Sequence, residues 1–575
     1  MKTANSEKVY DAIVVGSGIS GGWAAKELCE NGMNTLVLER GRNVTHVADY
    51  TTANMDPWDF KFNGQATREV RERMHKQHRT GYTTNEASAH WFVDDIKHPY
   101  NEVKRFDWMR GYHLGGRSIM WGRQSYRWSD IDFEANKKEE IAVDWPIRYA
   151  DIAPWYSKVE KFVGISGESL GLRQLPDSEF LPPMDLTCAE QELKDQIAEN
   201  YSDGRLLTIG RVAHITDENG GFEGRVSCQY RNRCIRGCPY GAYFSSLSST
   251  LPAAERTGNL TIRPNSVVHQ VVYDENSGLA TGVKVIDAET KEEMVFKAKT
   301  VFLCASAIAS AGILMQSTSD RFKNGMGNDS GELGHNIMDH HFHVGAYGTT
   351  DKFSDRYYSG RRPNGIYIPR FRNIGGQTDM PNFTRGYGYQ GGAGRGSAVH
   401  EVREMKGWGD SLKNAILKPG QWNMNLLAFG ECLPYHDNKM TLDYEKQDEW
   451  GLPTITFDAE WKENEWNMRE DMEQQAKDML RKAGFENIRG YNREDAAPGL
   501  GIHEMGTARM GRDAKTSVLD GNNAVHGARN VFVTDGACMT SASCVNPSLT
   551  YMALSARAAN FAADEVKNGK FDYYG

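Results

Sequence analysis

A glycine motif near the N-terminus constrains the fold of this chain more than any other feature. Gly16, Gly18 and Gly21 form the pattern G-x-G-x-x-G, which follows the apolar run 12–15 and precedes a helical pattern over 23–31. In a strand–loop–helix unit such glycines allow a tight turn, and backbone amides at the helix N-terminus attract a pyrophosphate. The sequence therefore predicts a Rossmann-like βαβ unit that binds a dinucleotide.

The second strand of this unit, residues 35–39, ends in an acidic residue. Glu39 follows the motif by about 20 residues, the spacing at which such units carry the carboxylate that binds the adenosine ribose. Arg40 comes directly after it. The position of the loop at the start of the chain favours FAD, while NAD stays open on these residues alone.

Composition bounds the class of protein. The chain has 575 residues, of which 39% are hydrophobic and 25% charged, and its net charge of −9 argues against general nucleic-acid binding. No apolar run approaches the ~20 residues that cross a bilayer, so we expect no transmembrane segment. No apolar export signal follows Met1, which makes the cytoplasm the default location.

Further hydrophobic patterns lie far along the chain. Residues 259–304 predict strands that are antiparallel around a turn at 275–278. The pattern over 463–484 predicts an amphipathic helix, and the C-terminal part predicts a strand at 530–534 and a helix over 547–568. These patterns indicate one domain assembled from distant segments, with a second domain inserted between them.

Several longer motifs lie along the whole chain. The most specific is HEMGTARMG at 503–511, followed by NPSLT at 546–550. These motifs resemble those of the glucose–methanol–choline (GMC) oxidoreductases, a family of FAD-dependent alcohol and sugar oxidases and dehydrogenases. The resemblance is strongest to the branch of pyranose oxidases, bacterial glucoside 3-dehydrogenases and gluconate dehydrogenase flavoprotein subunits. The other matching segments are GSGISGGWAAKEL (16–28), HLGGRSIMWG (113–122), ASAIASAGILMQS (305–317), LGHNIMDHH (333–341) and VFVTDGACMTSAS (531–543).

The resemblance implies an α/β (α+β) fold, in which a substrate-binding domain built on an antiparallel sheet is inserted into a Rossmann-like FAD-binding domain. The FAD-binding domain would comprise residues 1–125, 228–345 and 500–575. The substrate-binding domain would comprise residues 126–227 and 346–499.

The family pattern also implies which residues bind FAD. Met120 stands where some relatives carry a histidine joined covalently to the flavin, so we expect non-covalent binding. Ser306 and Ala311 depart from the pattern, because they replace a glycine and a proline of one family loop. The residues expected to contact FAD are Gly16, Gly18, Gly21, Glu39, Arg40, Gly115, Gly116, Ser118, Met120, Val268, Asp535, Gly536, Asn546 and Pro547.

Alcohol oxidation needs a base beside the cofactor. The flavin accepts hydride from carbon, and the protein must supply a group that takes the hydroxyl proton. A histidine suits this role, because its pKa near 6.5 keeps it largely neutral at pH 7. The family pattern places the catalytic histidine at His503 and a second polar residue, which would hydrogen-bond the substrate oxygen, at Asn546.

Two clusters leave a metal site open. Cys228, Cys234 and Cys238 lie beside arginines that would favour thiolates, and their C-x3-C-P end resembles a ferredoxin motif. Relatives with a three-iron cluster begin this stretch with two cysteines, whereas Ser227 replaces the first one here. An iron–sulfur cluster, a zinc site and plain thiols all stay open, the cluster not being favoured. The second, weaker cluster is His335, His340, His341 and His343 with Asp339.

Residues 421–431 alternate along a predicted strand. The face that carries Phe429 also has three amides and a carboxylate, which suit the many hydrogen bonds of a pyranose. A solvated sheet face is the alternative interpretation. The candidate substrate residues are Gln421, Asn423, Asn425 and Glu431.

These residues together predict an FAD-dependent sugar dehydrogenase that oxidises a secondary hydroxyl of a glucoside or pyranose, with C3 as the expected position and His503 as the base. A gluconate-type dehydrogenase acting on a sugar acid is the alternative within enzymes, and a non-catalytic FAD-binding protein is the alternative from another class. The resemblance also implies a small partner subunit and a cytochrome or other electron acceptor. A signal-bearing partner would take the chain to the periplasm.

Overall fold

The computed structural model of the protein describes residues 4–81, 83–217, 221–358, 363–396, 407–417 and 419–572. Two sheets contain most of its strands. The strands are β1 Val9–Val15, β2 Thr35–Leu38, β3 Asn101–Glu102, β4 Ile165–Ser166, β5 Phe180–Leu181, β6 Thr208–Ile209, β7 Leu260–Arg263, β8 Ser266–Asp274, β9 Leu279–Asp287, β10 Glu293–Leu303, β11 Val344–Thr350, β12 Ile366–Ile368, β13 Tyr387–Arg395, β14 Trp422–Gly430, β15 Lys439–Gln447, β16 Pro453–Asp458, β17 Glu486–Asn492, β18 Ala524–Val525 and β19 Ala528–Val533. The helices are Ile19–Glu30, Arg68–Arg73, His75–His78, Asp130–Phe133, Ala135–Glu139, Tyr149–Val163, Cys188–Asn200, Thr250–Arg256, Ala307–Gln316, Asp410–Leu417, Glu463–Lys482 and Ser548–Lys567.

The first sheet has eight strands and a parallel centre. Its main order is β18-β19-β10-β1-β2-β7, and the hairpin of β8 and β9 is attached through β9 to β10. Val15 is in register with both Leu38 of β2 and Leu303 of β10, and Leu303 is in register with Val533 of β19. Because these four strands are parallel, their carboxyl ends meet at one edge of the sheet.

The second sheet has six strands in the order β17-β11-β14-β13-β12-β6, and every neighbouring pair is antiparallel. Its strand β14 alternates between buried and half-buried residues, as a strand with one covered face should. The helix Glu463–Lys482 packs against this sheet and buries Met468, Met472 and Met479. The helix ends before Gly484, which adopts a φ of 75° that favours glycine.

Helices cover the first sheet, and two of them, one from each end of the described chain, pack against each other. The C-terminal helix Ser548–Lys567 packs against Ile19–Glu30 and Tyr149–Val163. Its contact with the first of these helices is built on small residues, including Ala558 and Ala562, which let the two backbones approach closely. Among the described helices, none has the length and apolar content needed to span a membrane.

The structure confirms the predicted fold class, a Rossmann-like unit combined with an antiparallel sheet from the middle of the chain. The predicted turn at 275–278 joins the antiparallel strands β8 and β9. The first helix begins at Ile19, inside the glycine motif, four residues before its predicted start. The division into two domains with the bounds given above stays a prediction.

The glycine motif yields a test of the fold. A Cβ added at Gly21 would overlap the carbonyl oxygen of Gly16, whereas a Cβ at Gly18 would meet no atom within 4 Å. Gly21→Ala should therefore destabilise the protein by about 1–3 kcal/mol, the usual cost of overpacking. Gly18→Ala is the matched control and should leave the thermal unfolding midpoint of the cofactor-free protein unchanged. Equal midpoints for the two variants would contradict this packing.

Candidate active site

A cavity of about 550 Å³ lies at the edge where the parallel strands of the first sheet end. Gly16 follows β1, Glu39 follows β2, and Asp535 lies just after β19, so each strand end contributes a residue to the cavity wall. The second sheet contributes Gln390 and Phe429. Ligands of parallel α/β sheets bind at this edge. The cavity therefore lies at the expected cofactor site and extends to the antiparallel sheet.

The cavity brings together most of the residues expected to bind FAD. Three of the expected residues lie behind its wall instead. Gly21 packs inside its helix against Gly16, the Gly115 amide donates to Ser17 Oγ at 2.9 Å, and Pro547 precedes the C-terminal helix. The expected residues in the wall are Gly16, Gly18, Glu39, Arg40, Gly116, Ser118, Met120, Val268, Asp535, Gly536 and Asn546.

Glu39 organises the glycine loop. Its carboxylate accepts hydrogen bonds from Ser17 N at 3.2 Å, from Ser17 Oγ at 2.6 Å and from Gly41 N at 2.9 Å. The side chain is buried, and burial raises its pKa above the usual range, against the effect of these hydrogen bonds. Glu39 therefore fixes the shape of the loop, in addition to any contact with a ribose.

Asp535 plays a similar part at a second loop. It accepts hydrogen bonds from Ser306 N at 3.0 Å, Ser310 Oγ at 2.5 Å and Ala537 N at 3.0 Å, and burial raises its pKa to about 6. Ser306, which replaces the family's glycine, keeps a φ of 91°. This backbone conformation favours glycine, so the Asp535 contacts hold a strained residue in place.

His503 and Asn546 lie together in the cavity wall. Asn546 Nδ2 is 3.4 Å from His503 Nε2, and Asn546 Oδ1 accepts a hydrogen bond from Gln390 Nε2 at 2.6 Å. A hydroxyl bound between the imidazole and the amide would meet one proton acceptor and one hydrogen-bond donor. This arrangement suits the removal of a proton from an alcohol.

The loop that carries His503 is held by a buried carboxylate. Asp339 accepts hydrogen bonds from the backbone amides of Gly499 and Gly501, both at 2.8 Å, and of His503 at 3.0 Å. Burial, followed by the nearby Glu504 carboxylate, raises the pKa of Asp339 to about 7. Ile502 has a φ of 61°, which is strained for a β-branched residue. The loop therefore depends on these contacts for its conformation.

Burial is also the main influence on the base itself. It holds the pKa of His503 well below the usual 6.5, and the neighbouring His340 and Arg117 act in the same direction. His503 is therefore neutral at pH 7, the state in which an imidazole nitrogen accepts a proton.

The predicted sugar platform on β14 does not line this cavity, with the exception of Phe429. Gln421 is exposed and donates to Asp351, and Asn425 accepts a hydrogen bond from the Tyr491 hydroxyl at 3.0 Å. Glu431 lies beyond the end of the strand and is buried against Arg385 at 2.9 Å. Asn423 is half-buried on the same face as Asn425. None of these four residues lies in the cavity wall, which Phe429 alone of that face reaches, and their role as substrate ligands stays a prediction.

The three cysteines do not form a ligand set. Within the described ranges, no group of three or more His, Cys, Asp or Glu side chains is placed to hold a metal ion, at the cysteines or at the histidine cluster. The arginines between the cysteines turn away toward residues 52–56, where Arg233 pairs with Asp56. Burial raises the pKa of Cys228 to about 11, so the expected favouring of a thiolate is wrong for this residue.

Comparison with known proteins identifies the family. The GMC oxidoreductase model of the N-terminal part matches residues 10–342, and the model of the C-terminal part matches residues 434–555. The chain belongs to the GMC oxidoreductase family. It is 24% identical to the fructose dehydrogenase large subunit of Gluconobacter japonicus, over 98% of this chain and 100% of the relative. It is 25% identical to paromamine 6'-oxidase of Streptomyces fradiae, over 98% and 93% of the two chains.

Solved structures show the same fold. A formate oxidase of Aspergillus oryzae superposes with a TM-score of 0.62 at 15% identity, over 99% of this GMC chain and 100% of the oxidase. The protein is an FAD-dependent oxidoreductase that acts on the CH–OH groups of alcohol or sugar substrates. A Cβ added at Gly18 would meet no atom within 4 Å, so this glycine leaves room for a pyrophosphate, and Tyr551 offers the cavity a buried hydroxyl that has no partner among the described residues. These features fit FAD.

Sequence reasoning missed several residues of the site. Gln390 and Phe342 reach the cavity from the antiparallel sheet and from the segment after the DHH motif, and no local pattern distinguishes them. The sequence suggests Asp339 only as a possible metal ligand, whereas in the structure it binds the backbone of the loop that carries His503. The single carboxylate among residues 333–343 was the available signal, because a carboxylate that becomes buried needs hydrogen-bond donors.

The contacts of Glu39 predict how FAD affinity depends on it. Glu39→Gln would place an amide where at least one backbone amide now donates, which removes charge-assisted hydrogen bonds of about 1.5–3 kcal/mol. The Kd for FAD, measured by quenching of flavin fluorescence, should rise roughly 10- to 100-fold. Glu445→Gln, at an exposed position of β15, is the control. Unchanged affinity in Glu39→Gln would argue against Glu39 as the organiser of the loop.

Proposed function

We propose that this GMC oxidoreductase is a sugar dehydrogenase that oxidises a secondary hydroxyl of a glucoside or pyranose, with C3 as the first candidate position. The observation that carries the proposal is the pair of His503 and Asn546, 3.4 Å apart in the wall of the cavity that also contains the glycine loop. The pair can bind one hydroxyl and take its proton.

The cavity wall supports a sugar as the substrate. Phe342 and Phe429 stack with ring centroids 5.1 Å apart, and both line the cavity. Aromatic rings pack against the C–H faces of a pyranose, while amide side chains bind its hydroxyl groups. Gln124 and Gln390 supply such amides in the same wall.

The chain's own residues account for the proton transfer. FAD, when bound, supplies the hydride acceptor at its flavin ring. His503 Nε2 faces Asn546 and takes the hydroxyl proton, which prevents a protonated carbonyl from forming in a buried site. Asn546 donates to the substrate oxygen and is itself held by Gln390. The pair thus acts on the one carbon whose hydroxyl it binds.

A sugar acid is the second candidate substrate, and one residue favours it. Arg123 lines the cavity and donates to the backbone carbonyls of Trp121 and Pro363. Among the described residues no carboxylate pairs with this guanidinium, and its Nε is buried without a hydrogen-bond partner. A carboxylate of the substrate would complete its bonding.

We also propose that electrons leave to an acceptor other than oxygen, through a partner protein. The relative from Gluconobacter japonicus is by its name a large subunit, which implies a smaller one. A signal-bearing partner would place the protein in the periplasm, and without one it stays in the cytoplasm.

The role of His503 can be tested directly. His503→Ala should retain FAD and slow the reduction of the bound flavin by sugar roughly 10²- to 10⁴-fold, the usual value of general-base assistance. Asn546→Ala should cost less, because it only positions the oxygen. Since burial lowers the pKa of His503, the parent rate should hold as the pH falls through 6.5 and drop only in more acidic solution, where the imidazole becomes protonated. Rapid-mixing measurements without oxygen supply these rates. A parent-like rate in His503→Ala would exclude this residue as the base.

The position of oxidation can be tested with deoxy sugars. Methyl glucosides that lack the 2-, 3- or 4-hydroxyl differ in one group, so flavin bleaching should fail for the 3-deoxy compound alone, while gluconate tests the second candidate. Activity with a dye acceptor, measured beside oxygen consumption, tests the acceptor. Bleaching by the 3-deoxy glucoside at the rate of the parent glucoside would contradict oxidation at C3.

A further inference from the structure

The DHH motif at 339–341 contains a residue that the proposed mechanism does not use. His340 is fully buried, and its Nδ1 is 2.9 Å from Nδ1 of His503. Asp339, its neighbour in sequence, binds the backbone of the same loop. Two consecutive residues thus hold the main chain and the ring of His503.

A hydrogen bond between two neutral imidazoles requires one nitrogen to carry a proton and the other to lack it. The hydrogen-bond partner of the other ring nitrogen of His340, Nε2, determines which of the two Nδ1 atoms carries the proton. His340 Nε2 is 3.4 Å from the carbonyl oxygen of Ala542, and a carbonyl oxygen can only accept. The proton of neutral His340 therefore lies on Nε2, and its Nδ1 is the acceptor.

The same reasoning continues through His503. Because His340 Nδ1 accepts, His503 Nδ1 must carry the proton and donate it to this bond. His503 Nε2 is then the bare nitrogen, and the Asn546 amide donates toward it at 3.4 Å. The backbone carbonyl of Ala542 therefore sets the proton positions along the series of hydrogen bonds from Ala542 to Asn546.

We propose that His340 is a positioning residue that holds His503 in the tautomer with its proton on Nδ1, so that Nε2 is free to take the substrate's hydroxyl proton. The part that concerns catalysis rests on the proposed role of His503 as the base, whereas the tautomer itself does not. Burial lowers the pKa of His340 to about 4, which keeps it neutral at pH 7, as an acceptor must be. In other enzymes, the loss of the group that orients a catalytic imidazole is known to lower the rate by orders of magnitude.

The hydrogen bond between His503 and His340 also stabilises His503 after it has taken the proton. When Nε2 has taken the hydroxyl proton, the ring of His503 is a cation in a buried site. The hydrogen bond from its Nδ1 to His340 then becomes a charge-assisted bond, which is stronger than the neutral one. His340 therefore stabilises His503 most strongly while His503 is protonated.

Two variants of nearly equal shape test the proposal. Asn and Leu share the same branched outline of four side-chain heavy atoms, but the Oδ1 of Asn can accept a hydrogen bond where His340 Nδ1 stands, and Leu cannot. His340→Leu should slow flavin reduction at saturating sugar about 10²-fold with half-saturation changed less than threefold, whereas His340→Asn should stay within tenfold of the parent. FAD content and circular dichroism serve as checks of folding. If the Leu variant does not retain FAD, His340→Met replaces it with the same expectation.

A second readout is independent of activity. In holoenzyme labelled with ¹⁵N-histidine, the hydrogen-bonded Nδ1 proton of His503 should give a downfield resonance that both His503→Ala and His340→Leu remove. Its persistence in His340→Leu would overturn the proposal, as would parent-like flavin reduction in the Leu variant or equal slowing by Leu and Asn. If the resonance behaves as expected while His503→Ala keeps the parent rate, the tautomer stands and the assignment of the base fails.

Discussion

The pairing of β10 between β1 and β19 is the constraint on which the site depends. It brings residues 9–15, 293–303 and 528–533 into one parallel sheet. The loops after these strands then meet, so that the glycine loop, Ser306 and Asp535 face the same cavity. A shift of the register by one residue would reverse the faces of a whole strand, and the cavity wall would lose its polar groups.

Much of this arrangement could be predicted from sequence, because it depends on short-range signals. The glycines, Glu39 and the helix that ends before Gly484 are local features, and the structure contains the predicted elements. His503 and Asn546 were recognised only through family motifs, since no periodicity points to them. The cavity does bring the two side chains together, although they are far apart in sequence.

The parts of the site that sequence reasoning does not place share a physical cause. Alternation along β14 predicts which residues share a face, and the burial pattern of the strand agrees. Alternation does not show which part of the molecule packs against that face. Of its residues, only Phe429 reaches the cavity. Glu431 belongs to the alternating pattern in sequence, but in the structure its carboxylate pairs with Arg385, which lies just before β13. Contacts such as that of Gln390 with Asn546 likewise depend on the packing of two sheets, which one sequence does not specify.

The order of the strands in the first sheet also bears on how the protein is made. β19 and the helix that follows it leave the ribosome long after β1, yet they complete the wall begun by β1. The glycine loop, although synthesised early, has no closed cavity beside it until β19 has been made. Cofactor loading is therefore a late event in biosynthesis, and the nascent chain must keep its early apolar strands from aggregating until then.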